Sequence, residues 1–289
     1  MQSGFVTILG LPNAGKSTLL NALLCEKLAI TSPKVQTTRH RIKGILNEPN
    51  YQLVISDTPG IIEKTEYKLH DSMMQKVKAS VEDADVALLL IDVKGDIPKA
   101  DAVFTALKLK VPTIVVFNKT DLQTPEKIGH IRDFFNNKTY AKHIIEIAAL
   151  NKLGIENLIQ QTLTYIPQGE PFYMGDELSD LPTKFFVQEL IREKLYLLFK
   201  DEIPYQSTVL VTEYKEKTTL IKITANVIVQ RESQKAIILG EGGQMIKKLG
   251  SLARIEIEKF LEQKVFLQLY VKARNKWRDS ELFLKEYGY

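Results

Sequence analysis

GLPNAGKST, residues 10–18, carries the spacing G-x-x-x-x-G-K-[ST]. That pattern is loose, and it holds a phosphate only between a strand and a helix, where turn N–H groups and the helix N-terminus converge on an anion. Here FVTIL precedes it and KSTLLNALL follows. Gly10 and Gly15 permit the tight turn and a close backbone approach, with Ala14 between them and Thr18 after. Lys16 would reach the β- and γ-phosphates, and the Ser17 hydroxyl would ligate Mg²⁺.

Two further motifs stand at the ends of apolar runs. DTPG, Asp57 to Gly60, follows LVIS, which places Asp57 to hold a Mg²⁺-bound water and the Gly60 N–H to sense the γ-phosphate. NKTD, Asn118 to Asp121, follows TIVVF and includes Lys119. The Asp121 carboxylate accepts two hydrogen bonds, and guanine offers a ring N–H beside an exocyclic amine. Adenine offers an acceptor there, so the motif selects GTP over ATP and disfavours an ATP phosphotransferase.

From residue 4 to about 165 short apolar runs alternate with helical spacing, which predicts an α/β domain with a mostly parallel sheet. RIKGILNE and YQLVISD are joined by Pro-Asn, which predicts a hairpin and hence one antiparallel edge strand. Residues 167–182 concentrate Pro, Gly and acidic side chains without either period, and read as a linker between a domain at 1–166 and one at 183–289. The second domain reads as a smaller α+β unit ordered α-β-β-α-α-β, with a basic tail.

Bulk composition narrows the class. The 289 residues are 44% hydrophobic and 26% charged, long enough for two cores. Residues 1–170 carry 20 basic and 18 acidic side chains, net +2; residues 171–182 carry three acidic ones, net −3; residues 183–289 carry 19 and 14, net +5. A polyanion at the C-terminal end and a plain solvated face both fit that excess. The single cysteine, Cys25, sits in the run after the glycine-rich turn; it excludes an intrachain disulfide, fits a reducing compartment, and is expected as a small buried hydrophobe. No run of 18 apolar residues and no signal peptide are expected.

The order of the three motifs resembles the translation-factor-class P-loop GTPases over residues 4–165. In that family a switch-loop threonine completes the Mg²⁺ shell; SPKVQTTRHR supplies Thr38, preferred because it precedes the arginine, and Thr37 as the alternative. A loop N–H contacts guanine O6, and AALNKLG offers Ala148 and Ala149 for it. Ile61 occupies the place of the water-orienting glutamine of Ras-like GTPases, which implies slow intrinsic hydrolysis. Asn13 implies K⁺ as a substitute for an arginine finger, although a turn residue chosen for backbone tolerance reads the same way. The family's catalytic set maps here onto Lys16, Thr38, Gly60 and Asn13.

AIILGEGGQMIKKLG resembles a KH domain, whose G-x-x-G loop clamps about four nucleotides. Gly240, Glu241, Gly242 and Gly243 form the loop, with Lys247 and Lys248 one turn later. Glu241 places a negative charge where relatives are basic or neutral, so affinity would draw on the lysines, Arg254 and the tail. In that tail Lys272, Arg274, Lys276 and Arg278 interleave with Trp277, a mixture that suits RNA or a solvated strand end equally.

A GTPase domain followed directly by a KH domain is similar to the Era family of ribosome-assembly GTPases, with QTTRHR and QELIREKLYLLFKDEIPY also in agreement. The resemblance implies GTP and GDP as ligands, binding near the 3′ end of small-subunit ribosomal RNA, a role in assembly of the small ribosomal subunit, and a cytoplasmic location with peripheral contact to the plasma membrane. A monomer is expected. The alternative is a nucleotide-dependent RNA-binding scaffold in which hydrolysis is incidental.

Overall fold

The computed structural model describes residues 1–175 and 177–289; Asp176, inside the expected linker, lies outside the described residues. The chain divides into two compact units. One comprises Met1–Thr65 and His70–Asp180, the other Glu66–Leu69 and Leu181–Tyr289.

In the first unit the elements run β1 (Gln2–Gly10), α1 (Lys16–Leu24), β2 (Ile42–Glu48), β3 (Tyr51–Asp57), α2 (Lys68–Glu82), β4 (Val86–Asp92), α3 (Ile97–Leu107), β5 (Thr113–Asn118), α4 (Pro125–Asn136), β6 (His143–Glu146) and α5 (Ile155–Leu163), α2 beginning within the short segment assigned to the second unit. Six strands form one sheet in the order β2-β3-β1-β4-β5-β6. Every pairing is parallel except β2 with β3, which closes through Pro49-Asn50 as the two-residue turn predicts. Leu88, Leu89, Ile114, Val115 and Val116 are buried, as near-continuous apolar runs must be in strands covered on both faces. One face packs Leu89, Val115 and Phe117 against Phe104 of α3 and Phe135 of α4. Asp57, Asp92 and Asn118 close β3, β4 and β5 at their C-terminal ends, where ligands gather in such sheets.

The segment before Asp180 packs against β2 and β3. Gln52, fully buried, accepts from the N–H groups of Phe172 and Tyr173 and donates to the Tyr173 carbonyl. The Ile45 N–H donates to the Leu178 carbonyl at 2.9 Å, Ser179 Oγ to the Lys43 carbonyl at 2.6 Å, and Lys43 Nζ pairs with Asp180 at 3.0 Å. Polar composition therefore does not mean a free chain here, because side-chain amides and hydroxyls satisfy the segment's backbone.

Cys25 differs from expectation. Helix α1 ends at Leu24 and Cys25 adopts a left-handed conformation, φ 56°, so the thiol is exposed rather than buried. The chain has to leave the helix axis there, and the C-cap position points outward.

In the second unit α6 (Thr183–Leu198) and a short α7 (Ile203–Gln206) precede β7 (Thr208–Glu216) and β8 (Ile221–Val229), followed by α8 (Glu232–Leu239), α9 (Gln244–Leu261), β9 (Val265–Ala273) and α10 (Glu281–Glu286). The sheet order is β7-β8-β9, with β7 antiparallel and β9 parallel to β8. Alternating Ile221, Ile223, Ala225, Val227 and Val229 are all buried. Trp277 is also fully buried: its Nε1 donates to the Gln206 carbonyl at 3.0 Å and its ring lies against Tyr287 and Tyr289. Arg278 is buried as well, with Nε on Gln230 Oε1 at 3.0 Å. The aromatic of the tail is thus a core residue, unsuited to base stacking, while Lys272, Arg274 and Lys276 stay on the surface.

Candidate functional site

The turn between β1 and α1 depends on glycine twice. A Cβ at Gly10 would lie 2.6 Å from the Leu90 carbonyl oxygen, and one at Gly15, where φ is 96°, would lie 2.4 Å from Asn118 Nδ2. Asn13 also has positive φ, 63°, tolerated by its short polar side chain. The turn borders a cleft of about 420 Å³ whose walls include Lys16, Ser17, Thr38, Gly60 and Lys119.

At the floor of the cleft three side chains meet. Ser17 Oγ donates to Asp57 Oδ2 at 2.6 Å, and Ser17 Oγ and Thr38 Oγ1 are 2.7 Å apart. Thr38 Oγ1 also approaches Asp57 Oδ2 at 3.4 Å. Thr37 faces elsewhere within its loop, with Oγ1 on the Lys34 carbonyl at 2.7 Å and 2.6 Å from Ser32 Oγ. Asp57 Oδ1 is buried with no hydrogen-bond partner among the described residues. An orphaned carboxylate oxygen beside two hydroxyls is a hard-oxygen set, and one carboxylate plus phosphate oxygens is how Mg²⁺ is usually bound. The residues fit that ion.

Burial pushes the Asp57 carboxyl up to about 6, against hydrogen bonds from Ser17 and Thr38 and the charge of Lys16. Burial likewise lowers Lys16 to about 8, partly offset by Asp57. Lys16 Nζ donates to the carbonyls of Gly10 at 3.2 Å and Leu11 at 2.9 Å. The site holds two opposite charges out of water, an arrangement whose cost a polyanion with a cation relieves.

Gly60 lies against Pro12, where a Cβ would come within 2.8 Å of Pro12 Cα, and its N–H has no partner among the described residues. The next N–H, of Ile61, is taken by the Gly10 carbonyl at 3.1 Å, and the Ile61 side chain packs on the core beneath β1 and β4. Asn13 Nδ2 donates to the Pro33 carbonyl at 3.1 Å, which ties the turn to the loop that carries Thr38.

Asn118 is the hub of the other end. Its Nδ2 donates to the Ala14 carbonyl at 2.9 Å and its Oδ1 accepts from the Ala149 N–H at 3.0 Å. Lys119 Nζ reaches the Asn13 carbonyl at 2.9 Å and pairs with Asp92. Asp121 is exposed, on a 3₁₀ turn at Thr120–Leu122, and accepts from Asn151 Nδ2 at 3.0 Å. Ala148 and Ala149 are buried, and both of their N–H groups are engaged within the protein, Ala148 with the Leu153 carbonyl and Ala149 with Asn118. A base contact by either would share an existing donor. The motifs gave no role to Asp92 or Asn151; Asp92 ends the apolar run of β4 and Asn151 stands two residues after Ala149 in AALNKLG, and those positions are the only signal the sequence carries for them.

In the second unit Gly240, Gly242 and Gly243 all have positive φ, 69°, 55° and 77°. Gly242 has nothing within 4 Å of a would-be Cβ, and Glu241 and Gly242 are exposed. Lys247 and Lys248 lie on the surface in the first turns of α9. Beside the loop, α9 and β9 border a groove of about 320 Å³, apolar at Ile246 and Leu269 and polar at Lys247, Arg254 and Gln268.

A family profile for 50S ribosome-binding GTPases matches residues 5–119, and one for KH domains matches residues 202–278. The GTPase Era of Geotalea uraniireducens (strain Rf4) is 40% identical over 291 residues, which cover all of this chain and 98% of that protein. The chain belongs to the Era GTPase family. An Era-like chloroplastic GTPase of Oryza sativa subsp. japonica is also 40% identical, covering all of this chain and 69% of its own length. Two solved Era structures superpose with a TM-score of 0.95 over the whole chain and 99% of theirs: a point variant of Aquifex aeolicus Era bound to GDP and AlF4−, at 37% identity, and an Era in complex with MgGDPNP and nucleotides 1506–1542 of 16S ribosomal RNA, at 38%.

Proposed function

We propose that this Era-family chain is a GTPase that binds small-subunit ribosomal RNA near its 3′ end and assists assembly of the small ribosomal subunit. The observation that carries the catalytic half is the meeting of Ser17 and Thr38 at Asp57 Oδ2, with the buried Oδ1 of the same carboxylate left unpartnered. Ser17 and Thr38 would hold Mg²⁺ directly and Asp57 through water, and the ion would neutralise charge on the β- and γ-phosphates. Lys16 exchanges its carbonyl partners for phosphate oxygens, and the Gly60 N–H donates to the γ-phosphate. Asn118 holds the phosphate and base loops together, while Asp121 accepts from the guanine N1–H and exocyclic amine. Nothing at position 61 can orient water, so intrinsic turnover is slow.

Asn13 has its Nδ2 fixed on Pro33, which leaves Oδ1 to accept a monovalent cation beside the phosphates. K⁺ then raises the hydrolysis rate relative to Na⁺, and Asn13→Ala removes the difference. Equal rates in the two salts would remove K⁺ from the mechanism.

For RNA, three positive-φ glycines expose main chain at Gly240–Gly243, and Lys247 and Lys248 neutralise phosphates. The relative bound to nucleotides 1506–1542 of 16S ribosomal RNA supports this partner. The deciding experiment measures affinity for that 3′ segment with wild type and with Gly242→Asp, together with GTP cleavage with and without the RNA. Equal affinity for scrambled RNA would refute the RNA half. Ile61 favours one second reading, a scaffold with incidental hydrolysis; single-turnover cleavage unstimulated by small subunits in either salt would establish it. The chain works as a cytoplasmic monomer with peripheral membrane contact, checked by light scattering and by vesicle flotation. Among the described residues no helix is long and apolar enough to cross a membrane.

A further inference from the structure

Asp121 reads the base from an exposed position, and a solvated carboxylate on a short turn samples several rotamers unless a neighbour holds it. Its one side-chain hydrogen-bond donor among the described residues is Asn151, with Nδ2 at 3.0 Å from Oδ2. We propose that Asn151 is a positioning residue for guanine recognition, fixing the Asp121 carboxylate in the plane where it meets the base; this rests on the guanine-nucleotide reading above.

The surroundings make Asn151 a fixed donor. It ends a 3₁₀ turn, Ala149–Asn151, whose C-cap Lys152 is left-handed, and its own N–H donates to the Ala148 carbonyl at 3.0 Å. That turn is tied to the floor of the site by the Ala149 N–H on Asn118 Oδ1, and closed by the reciprocal backbone pair between Ala148 and Leu153. The Asp121 turn is joined to the same loop through Thr120, whose N–H and Oγ1 both donate to the Ile147 carbonyl. Donor and acceptor therefore ride on two turns already clamped together.

Among the described residues no other side chain of the loop bonds Asp121, and the neighbouring Lys152, although cationic, makes no hydrogen bond or ion pair with it. Positions 148 and 149 are alanines, with no hydroxyl to offer, and Leu150 is apolar. Asn151 is also chemically suited: its amide donates to one lone pair of Oδ2 while the remaining lone pairs of the carboxylate stay open to the base. A carboxylate so held accepts two parallel hydrogen bonds from guanine. Hypoxanthine, which lacks the exocyclic amine, can supply one.

The test compares GDP and IDP affinities by competition with a fluorescent GDP, in wild type, Asn151→Ala, Asn151→Asp and Asp121→Ala. Asn151→Ala is expected to weaken GDP by about fivefold to twentyfold and IDP by less, so that the GDP-to-IDP preference narrows. Asn151→Asp, which sets carboxylate against carboxylate, narrows it further. Thermal unfolding reports whether the loop survives, and a variant that unfolds is replaced by Asn151→Ser for the same comparison. Parallel weakening of both nucleotides, or no change, overturns the proposal. If Asp121→Ala leaves the preference intact, the guanine reading itself fails; if it abolishes the preference while the position-151 variants do not, only the role of Asn151 falls.

Discussion

The Asn118 side chain donates to the Ala14 carbonyl at 2.9 Å, joining the end of β5 to the turn before α1. The same amide accepts from the Ala149 N–H, so one buried side chain sets the spacing of three loops. Asn118→Ala leaves a buried carbonyl and a buried N–H unpaired, at about 1–3 kcal/mol for each group. GDP affinity falls by more than about tenfold, measured by calorimetry. Gly15→Ala has the same outcome by another route, because its Cβ would lie 2.4 Å from Asn118 Nδ2. Wild-type affinity in both variants would show that the spacing of the loops is set elsewhere.

Thr38 and Thr37 are adjacent, yet only Thr38 Oγ1 reaches Ser17 and Asp57. Thr38→Ala should lower Mg²⁺-dependent binding of a nonhydrolysable GTP analogue strongly and GDP binding little. Thr37→Ala loses the loop hydrogen bonds to Lys34 and Ser32 and shifts neither by more than about threefold. The reverse ranking would transfer the metal role to Thr37.

Glu213 has a pH signature. Hydrogen bonds from Lys215, Thr224 and Lys222 hold its carboxyl down to about 2. A depressed carboxylate stabilises the fold above its unfolded value near 4.5, and that stabilisation is lost as pH falls toward 2. The melting temperature therefore declines through that window, and Glu213→Gln flattens the decline. A variant with the slope of the wild type would mean that these contacts do not bias folding.

Trp277 separates packing from RNA contact. Trp277→Ala removes a fully buried ring and its hydrogen bond to Gln206, costing about 3–5 kcal/mol in denaturant titration. Trp277→Phe keeps most of the volume. Its RNA affinity stays at the wild-type level when both proteins are folded. A selective loss of RNA binding in that folded variant would return the residue to the RNA surface.

The sheet was legible because periodicity and topology are local: apolar runs ending in Asp57 and Asn118 could only be strands feeding loops at one edge. Hairpin chemistry at Pro49-Asn50 made β2 legible in the same way. What escaped were contacts between residues distant in sequence. Gln52 looks like an ordinary strand residue, and only the fold shows it gripping Phe172 and Tyr173 120 and 121 positions away. Trp277 sits among basic residues, so composition suggested a surface, while three-dimensional proximity to Tyr287 and Tyr289 made it core. Cys25 has the burial tendency of its type, overridden by the place where α1 ends.

The docking of Leu178, Ser179 and Asp180 on β2 has one more consequence. At the rim of the sheet the Ile45 N–H and the Lys43 carbonyl point away from β3, and both are already spoken for, by Leu178 and Ser179. An unpaired rim of this kind would template a foreign strand, and crowded nascent chains would find it first. By folding its own acidic segment across that rim, the molecule guards itself against edge-to-edge association. It also rules this margin out as a place where a partner could add a strand.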